Sequence, residues 1–327
     1  MESSKLLTIS IASYNAEKYI ETALDSLVAS EDILDVLEIF VVNDGSKDNT
    51  SALAKEYEKR YPDSVKVIDK ENSGYGSTVN ASIAQATGKY FKLLDADDWF
   101  EKGNLAEFVR YLEKCDSDMV LSPYAEIYEG TSQKVLKDDS CGVTSETVSI
   151  ESSGISENLA MHEMAVRTRI LQDNDILLSE HMFYTDIEFI IKSVIHSGSV
   201  SRFGKCIYDY RLGNEGQSVS NSGLKKYYKD AVMLSESLAE VANVFSKENK
   251  GSKRTGIVMS RMNRLISRAY TGLLLQDDVK ADDLKEFDDR LRKYDSVYEN
   301  SNAVKRIRLM RKTGFHFTGL YRKMIGV

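Results

Sequence analysis

Leu93-Leu94-Asp95-Ala96-Asp97-Asp98 closes an apolar run that begins at Tyr90, and this passage from hydrophobic residues to clustered acid sets the reading of the whole chain. A short continuous apolar run reads as a strand buried on both faces. The acids that end it lie where such a strand leaves its sheet. Two carboxylates one residue apart on that turn can share a hard divalent cation, because Mg2+ and Mn2+ take oxygen ligands and are often held by a few carboxylates together with substrate phosphates. The plainer alternative is a loop of solvated acids, with Asp98 capping the helix expected after Trp99.

The same pattern repeats on both sides. Residues 6–12 form a β-prone run ending in Ser13-Tyr14-Asn15, and residues 37–42 another, ending in Asn43-Asp44-Gly45-Ser46. Residues 65–68 end in Glu71-Asn72-Ser73-Gly74, and residues 119–122 look like a fifth strand. Between them, Tyr19, Ile20, Ala23, Leu24, Leu27 and Val28 recur at helical spacing. Residues 50–60 read as a polar helix; Val79, Ile83 and Ala86 mark the next, with Gly88 as its stop, and Leu105, Phe108, Val109 and Leu112 another. Strand–helix alternation implies an α/β fold with a mostly parallel, Rossmann-like sheet flanked by helices. Ligands of such sheets bind beyond the carboxyl ends of the strands, where all four polar clusters fall. Residues 139–156 read as loop or irregular β structure, and the chain beyond Gly223 as charged helix. The expected division is a catalytic domain over 1–222 and a helical region over 223–327.

Each remaining cluster has a functional and a structural reading. Asp44 can accept a hydrogen bond from a nucleobase N–H or cap the turn before Ser46. Asn72-Ser73-Gly74-Tyr75-Gly76 contains a GxG, but a dinucleotide fingerprint belongs after the first strand and needs a third glycine. In Tyr184-Thr185-Asp186-Ile187-Glu188-Phe189 the spacing favours Asp186 as a helix cap over a general base. The four histidines, His162, His181, His196 and His316, show no metal-ligand spacing. His162 and His181 precede Asp186 and can line an acceptor pocket, although a core or surface role is the default for each. No serine has a nucleophile-elbow context.

Taken in order, residues 8–15 (Thr-Ile-Ser-Ile-Ala-Ser-Tyr-Asn), 41–50 (Val-Val-Asn-Asp-Gly-Ser-Lys-Asp-Asn-Thr), Asn72-Ser73-Gly74 and Leu93-Leu94-Asp95-Ala96-Asp97-Asp98 resemble family 2 glycosyltransferases of the GT-A fold, over roughly residues 5–220. The resemblance implies an inverting enzyme that moves a hexose or N-acetylhexosamine from a nucleotide-sugar, a UDP-sugar by preference, to a hydroxyl of a glycan, glycoprotein or lipid-linked acceptor. It places Ala12, Tyr14 and Glu17 near the nucleotide, Asp44 on the uracil edge, Asn72 and Gly74 in the pocket wall, and Ala96 beside the donor. Asp95 and Asp97 become the ligands of Mn2+ or Mg2+, Asp97 in direct contact, with Asp98 left to cap a helix or support the ligands. Asp186 becomes the catalytic base, against its spacing. Arg211, ahead of Gln217-Ser218-Val219-Ser220, is similar to the late basic segment that closes over the donor diphosphate. The family's usual proline in the first motif is replaced by Ala12-Ser13, and its frequent arginine after Gly74 is absent from Thr78-Val79-Asn80.

Composition narrows the rest. With 327 residues, of which 42% are hydrophobic, the chain can bury a large core, and two prolines leave no Pro-rich linker. A net charge of -8 argues against nucleic acid as a partner. The three cysteines, Cys115, Cys141 and Cys206, show neither a disulfide framework nor metal spacing. With no signal-like start and no spanning apolar segment, the expectation is a soluble cytoplasmic protein. Residues 301–327 carry no acid, while Lys305, Arg306, Arg308, Arg311, Lys312, Arg322 and Lys323 are interleaved with apolar residues. That segment suits peripheral contact with anionic lipid at the inner face of a membrane. It equally suits packing on the protein itself or on a second copy in a homo-oligomer. Two rival functions stand beside the transferase: a nucleotidyltransferase, which would need a Gly-rich basic loop after the first strand, and a non-catalytic scaffold subunit of a glycosylation complex.

Overall fold

The computed structural model describes residues 5–131, 133–213 and 220–324. The strands are β1 (Leu7–Ser13), β2 (Leu37–Asp44), β3 (Val65–Lys70), β4 (Tyr90–Asp95), β5 (Trp99–Phe100), β6 (Met119–Leu121), β7 (Tyr124–Tyr128), β8 (Gln133–Lys137), β9 (Val148–Ser149), β10 (Met164–Arg167), β11 (Ser199–Arg202) and β12 (Tyr208–Leu212). The chain forms two compact units, one from residues 1–181 and 196–214, the other from 182–195 and 215–327.

The first unit is built on a sheet of order β3-β2-β1-β4-β10-β6-β11-β9. β1, β2, β3 and β4 run parallel, whereas β10 is antiparallel to both β4 and β6. Leu7, Ile9, Ile11, Val41, Phe91 and Leu94 are buried, as an apolar run covered on both faces requires. The helix Ile20–Val28 turns Ala23, Leu24, Leu27 and Val28 inward, and Asn104–Lys114 does the same with Leu105, Phe108, Val109 and Leu112. Burying each such leucine or phenylalanine contributes roughly 1.5–3 kcal/mol. A second, four-stranded sheet of order β5-β12-β7-β8 was not anticipated; its outer strand, Gln133–Lys137, is mostly exposed and has no apolar run to signal it.

One local expectation is corrected. The helix marked by Val79 and Ile83 spans Tyr75–Gln85, so Gly88 does not stop it. Gly88 is small for another reason: a Cβ there would lie 2.5 Å from the backbone nitrogen of Thr8. The Asn72–Gly76 glycines are equally structural. Gly74 has φ +87 ahead of the helix, and a Cβ on Gly76 would lie 2.1 Å from the Ser179 carbonyl oxygen.

The second unit is helical. Tyr228–Glu248 and Lys253–Leu274 pack together through faces that include Leu234, Leu238 and Ala242 on one and Ile257, Leu265 and Ala269 on the other. Shorter helices follow at Ala281–Leu291, Asp295–Ser301, Lys305–Lys312 and Thr318–Met324. Buried Asp288 accepts from Tyr270 Oη at 2.7 Å, Tyr298 Oη at 3.0 Å and Arg311 Nε at 2.6 Å, tying three of these helices to one carboxylate. Ile307, Met310, Phe315 and Tyr321 are also buried, so one side of the basic C-terminal segment packs on the protein. Ile325 lies outside the described residues. Among the described residues no helix is long and apolar enough to cross a membrane.

Candidate functional site

Strand register brings the polar clusters level. Ala12 lies opposite Val42 on one side and Asp95 on the other, Ser13 opposite Asn43, and Asp44 opposite Lys70. The ends of β3, β2, β1 and β4 thus form one row at the carboxyl edge of the parallel strands.

At the β2 end, Asp44 is buried and heavily engaged. Its Oδ1 accepts from Lys70 Nζ at 2.8 Å and from the Ser73 N–H at 2.9 Å, and its Oδ2 from the Gly74 N–H at 2.8 Å. Asn72 Nδ2 donates to the Asp44 carbonyl at 2.8 Å. Asp44 therefore shapes the β3 turn, and with two acceptor directions on each carboxylate oxygen, Oδ2 keeps one for a ligand. Lys70 was missed in the sequence because a lysine at a strand end is unremarkable by itself. In the β1 loop, Tyr14 is 54% exposed and Ala12 half-buried. Glu17 accepts from the Asn49 N–H at 3.0 Å and holds the β1 and β2 loops together.

The aspartate turn following β4 is tight, the Asp98 N–H donating to the Asp95 carbonyl at 3.0 Å. β5 follows it directly, and the next helix begins at Asn104 behind Gly103. Asp98 therefore caps no helix, contrary to one of its expected roles. Instead it is fully buried and accepts from Tyr208 Oη at 2.5 Å and the Arg211 N–H at 2.7 Å. Tyr208 Oη also accepts from the Asp95 N–H at 3.2 Å. Burial first, then the neighbouring charges of Asp95 and Asp97, hold the Asp98 carboxyl well above the usual range. Arg211 lies against the same turn: its Nε donates to the Asp97 carbonyl at 2.7 Å, it pairs with Glu129 at 2.6 Å, and its guanidinium covers the Tyr19 and Trp99 rings. Gln217, Ser218 and Val219 lie outside the described residues.

One ligand atom each from Asp95, Asp98 and His162 fall within 4.8 Å of one another. Two crowded carboxylates together with an imidazole fit a divalent cation. Asp97, half-buried, is not among the three converging groups. His162 stacks on Tyr210 at 4.4 Å and meets Tyr208 edge-on at 4.8 Å. Its backbone is fixed by Lys92, wholly buried beneath the turn, whose Nζ donates to the His162 carbonyl at 2.7 Å and to that of Met164 at 3.2 Å. Burial pulls the Lys92 amine down to about 7, against the opposing pull of Glu163. A lone histidine far along the chain from its partners carries no local signal; only the β4–β10 pairing brings it here.

In the helical unit, Asp186 is half-buried in the first turn of the helix Thr185–His196, inside the helix rather than at the cap before it. A helix N-terminus favours a carboxylate there. The approach to it is fixed: Tyr184 is buried with φ +68, Phe183 stacks on Tyr227 at 3.5 Å, and the Phe183 N–H donates to Asp230 at 3.1 Å.

The model of glycosyl transferase family 2 matches residues 8–186, more than half of the sequence. The chain belongs to glycosyltransferase family 2. An uncharacterized glycosyltransferase of Haemophilus influenzae is 26% identical over 239 residues, 68% of this glycosyltransferase and 70% of that protein. The poly(ribitol-phosphate) beta-N-acetylglucosaminyltransferase TarS of Staphylococcus aureus is 26% identical over 217 residues, 66% of this chain but 37% of TarS. The crystal structure of TarS residues 1–349 with UDP-GlcNAc is similar at a TM-score of 0.67 and 22% identity, covering 95% and 92% of the two chains. The mannosyltransferase PcManGT of Pyrobaculum calidifontis, in complex with GDP-Man and Mn2+, reaches 0.52 at 16% identity, covering 91% and 86%. These likenesses give the glycosyltransferase the GT-A type fold expected from its sequence.

Proposed function

We propose that this glycosyltransferase transfers a hexose or N-acetylhexosamine from a UDP-sugar to an acceptor hydroxyl in a single inverting displacement. The observation that carries the proposal is the convergence of Asp95, Asp98 and His162 at the end of β4, in line with Asp44 at the end of β2. Asp95 with Asp97, or Asp95 with Asp98 and His162, would hold a divalent cation, Mn2+ or Mg2+, which would supply Lewis-acid chemistry at the diphosphate leaving group. Arg211 adds positive charge at the same turn. Asp44 Oδ2 accepts from the base N–H, Asn72 and Gly74 wall the nucleotide, Ala12, Tyr14 and Glu17 border it, and Ala96 abuts the donor. Asp186 takes the proton of the attacking hydroxyl. The UDP-GlcNAc bound by TarS supports the donor class, and the Mn2+ bound by PcManGT supports the cation.

A thermal-shift comparison of nucleotide-sugars with Mn2+ tests the donor. A UDP-sugar at a hundred times its Kd is expected to stabilise the protein by about 2.7 kcal/mol, raising Tm by a few degrees. Asp44→Ala is expected to lose most of that shift. A response to GDP-sugars alone overturns the uridine reading, and no response to any donor overturns the whole proposal.

We also place the glycosyltransferase at an anionic membrane surface. Beside the buried side of the C-terminal segment, Leu309 (38%), Phe317 (56%) and Leu320 (54%) are exposed among Lys305, Arg308, Lys312 and Lys323, with no acid in the segment of a chain whose net charge is -8. Apolar side chains set among bases match an anionic lipid interface. The full chain is expected to float with vesicles of phosphatidylglycerol and phosphatidylcholine but not of phosphatidylcholine alone, and Phe317→Ser with Leu320→Ser to abolish flotation. Equal flotation of wild type and double variant removes the membrane contact.

A further inference from the structure

The helical unit holds a shallow cavity of about 380 Å3 along the helix Lys253–Leu274, lined chiefly by Asn263, Arg264, Ser267, Arg268 and Thr271. These residues recur at helical spacing and form one stripe. Arg306 reaches the same wall from the helix Lys305–Lys312, donating to Thr271 Oγ1 at 2.6 Å and Ser267 Oγ at 3.1 Å. Three arginines thus gather on one depression.

Elsewhere in the unit Arg311 pairs with Asp288 at 2.6 Å and Arg290 with Glu236 at 2.5 Å. Arg264, Arg268 and Arg306 form no ion pair among the described residues. Arg268 Nη1 and Arg306 Nε are shielded from solvent and lack an acceptor. Buried N–H groups of a cation are expensive to leave unsatisfied. In a chain with an excess of acid, three unpaired arginines around a cavity describe a receptor for an external anion.

Arg268 links this cavity to the proposed catalytic base. Its guanidinium lies 4.8 Å from the centroid of the Tyr184 ring, and Tyr184 stands two residues before Asp186. Tyr184 thus ties the cavity wall to the helix that carries Asp186. Guanidinium forks match phosphate and carboxylate alike, but three positive charges flanked by Ser267 and Thr271 hydroxyls suit a group with several charged oxygens better than a lone carboxylate.

We propose that the arginine cavity binds a phosphate group of the acceptor, so that the sugar is transferred to a phosphate-bearing molecule, either a phosphodiester-linked polyol chain or a lipid diphosphate. The proposal rests on the role given to Asp186 above, but phosphate binding is measured without turnover, so either can fail alone. The test is calorimetric titration of the full chain with glycerol-phosphate oligomers, with a short-chain polyprenyl diphosphate and with an oligogalacturonate. At least one phosphate probe is expected to bind, the tighter of the two naming the source, and the oligogalacturonate to bind at least tenfold more weakly. Arg264→Gln, at an exposed position, is expected to weaken the phosphate probe roughly tenfold, and Arg264→Gln with Arg268→Gln roughly a hundredfold. In transfer assays the acceptor KM should rise by similar factors while the donor KM holds. Absence of phosphate binding, unchanged affinity in Arg264→Gln, or equal binding of the oligogalacturonate overturns the proposal.

Discussion

Asp186→Asn is expected to lower kcat by roughly a thousandfold, within the 10²–10⁴ range of general base catalysis and equivalent to about 4 kcal/mol of barrier. The amide preserves the volume and the place in the first turn of the helix but cannot accept the hydroxyl proton. Tyr184 and Phe183, which fix the approach to that turn, keep their contacts with Arg268, Tyr227 and Asp230. The measurement is UDP release in the presence of acceptor, alongside the Tm shift given by UDP-sugar and Mn2+. Slow release with an unchanged shift is the expected pair of results; unchanged release removes Asp186 from the chemistry.

The second large effect is expected at the aspartate turn. Chelating the cation, or Asp95→Asn, is expected to reduce transfer by roughly 10²–10³, the scale of losing one preorganised electrostatic stabiliser of the leaving group. His162→Gln is expected to raise the Mn2+ concentration needed for half-maximal activity about tenfold, as removal of a ligand or its immediate support does. If Asp97→Asn does so while His162→Gln does not, the ligand set is Asp95 with Asp97. Because Asp98 holds its proton above the usual carboxylate range, cation and proton compete there. A cation held by Asp98 would displace that proton, so the Mn2+ requirement is expected to rise as the pH falls. Asp98→Ala differs in kind: it strips Tyr208 Oη and the Arg211 N–H of a buried acceptor, destabilising the fold by about 1–3 kcal/mol for each group.

The parallel half of the sheet was legible because each of its strands is a β-prone run ending in polar residues, and because helices of regular spacing separate them. Thr50–Arg60 is found with the expected bounds. The second sheet was illegible for the opposite reason, since β7 and β8 mix charged and apolar residues, and β5 and β7 are joined only by β12, far along the chain. Within the site, Asp95 and Asp44 announced themselves by standing at strand ends. Lys70, Lys92, His162 and Tyr208 did not, because their positions depend on register and on the return of β10 and β12. Asp98 was misjudged as a helix cap because two residues of strand, not a helix, follow it. The arginine stripe carried no sequence signal, since three basic residues in a charged helical region look like ordinary surface until burial and missing acids are seen together.

The helix that carries Asp186 belongs to the same compact unit as the C-terminal helices, although the family match stops at its second residue. On the roles proposed for Asp44 and Asp186, nucleotide recognition and proton abstraction from the acceptor fall in different compact units of the chain. For protein engineering, exchange of the whole helical unit needs junctions at 181/182, 195/196 and 214/215, so that a grafted unit brings its own copy of the helix that carries Asp186.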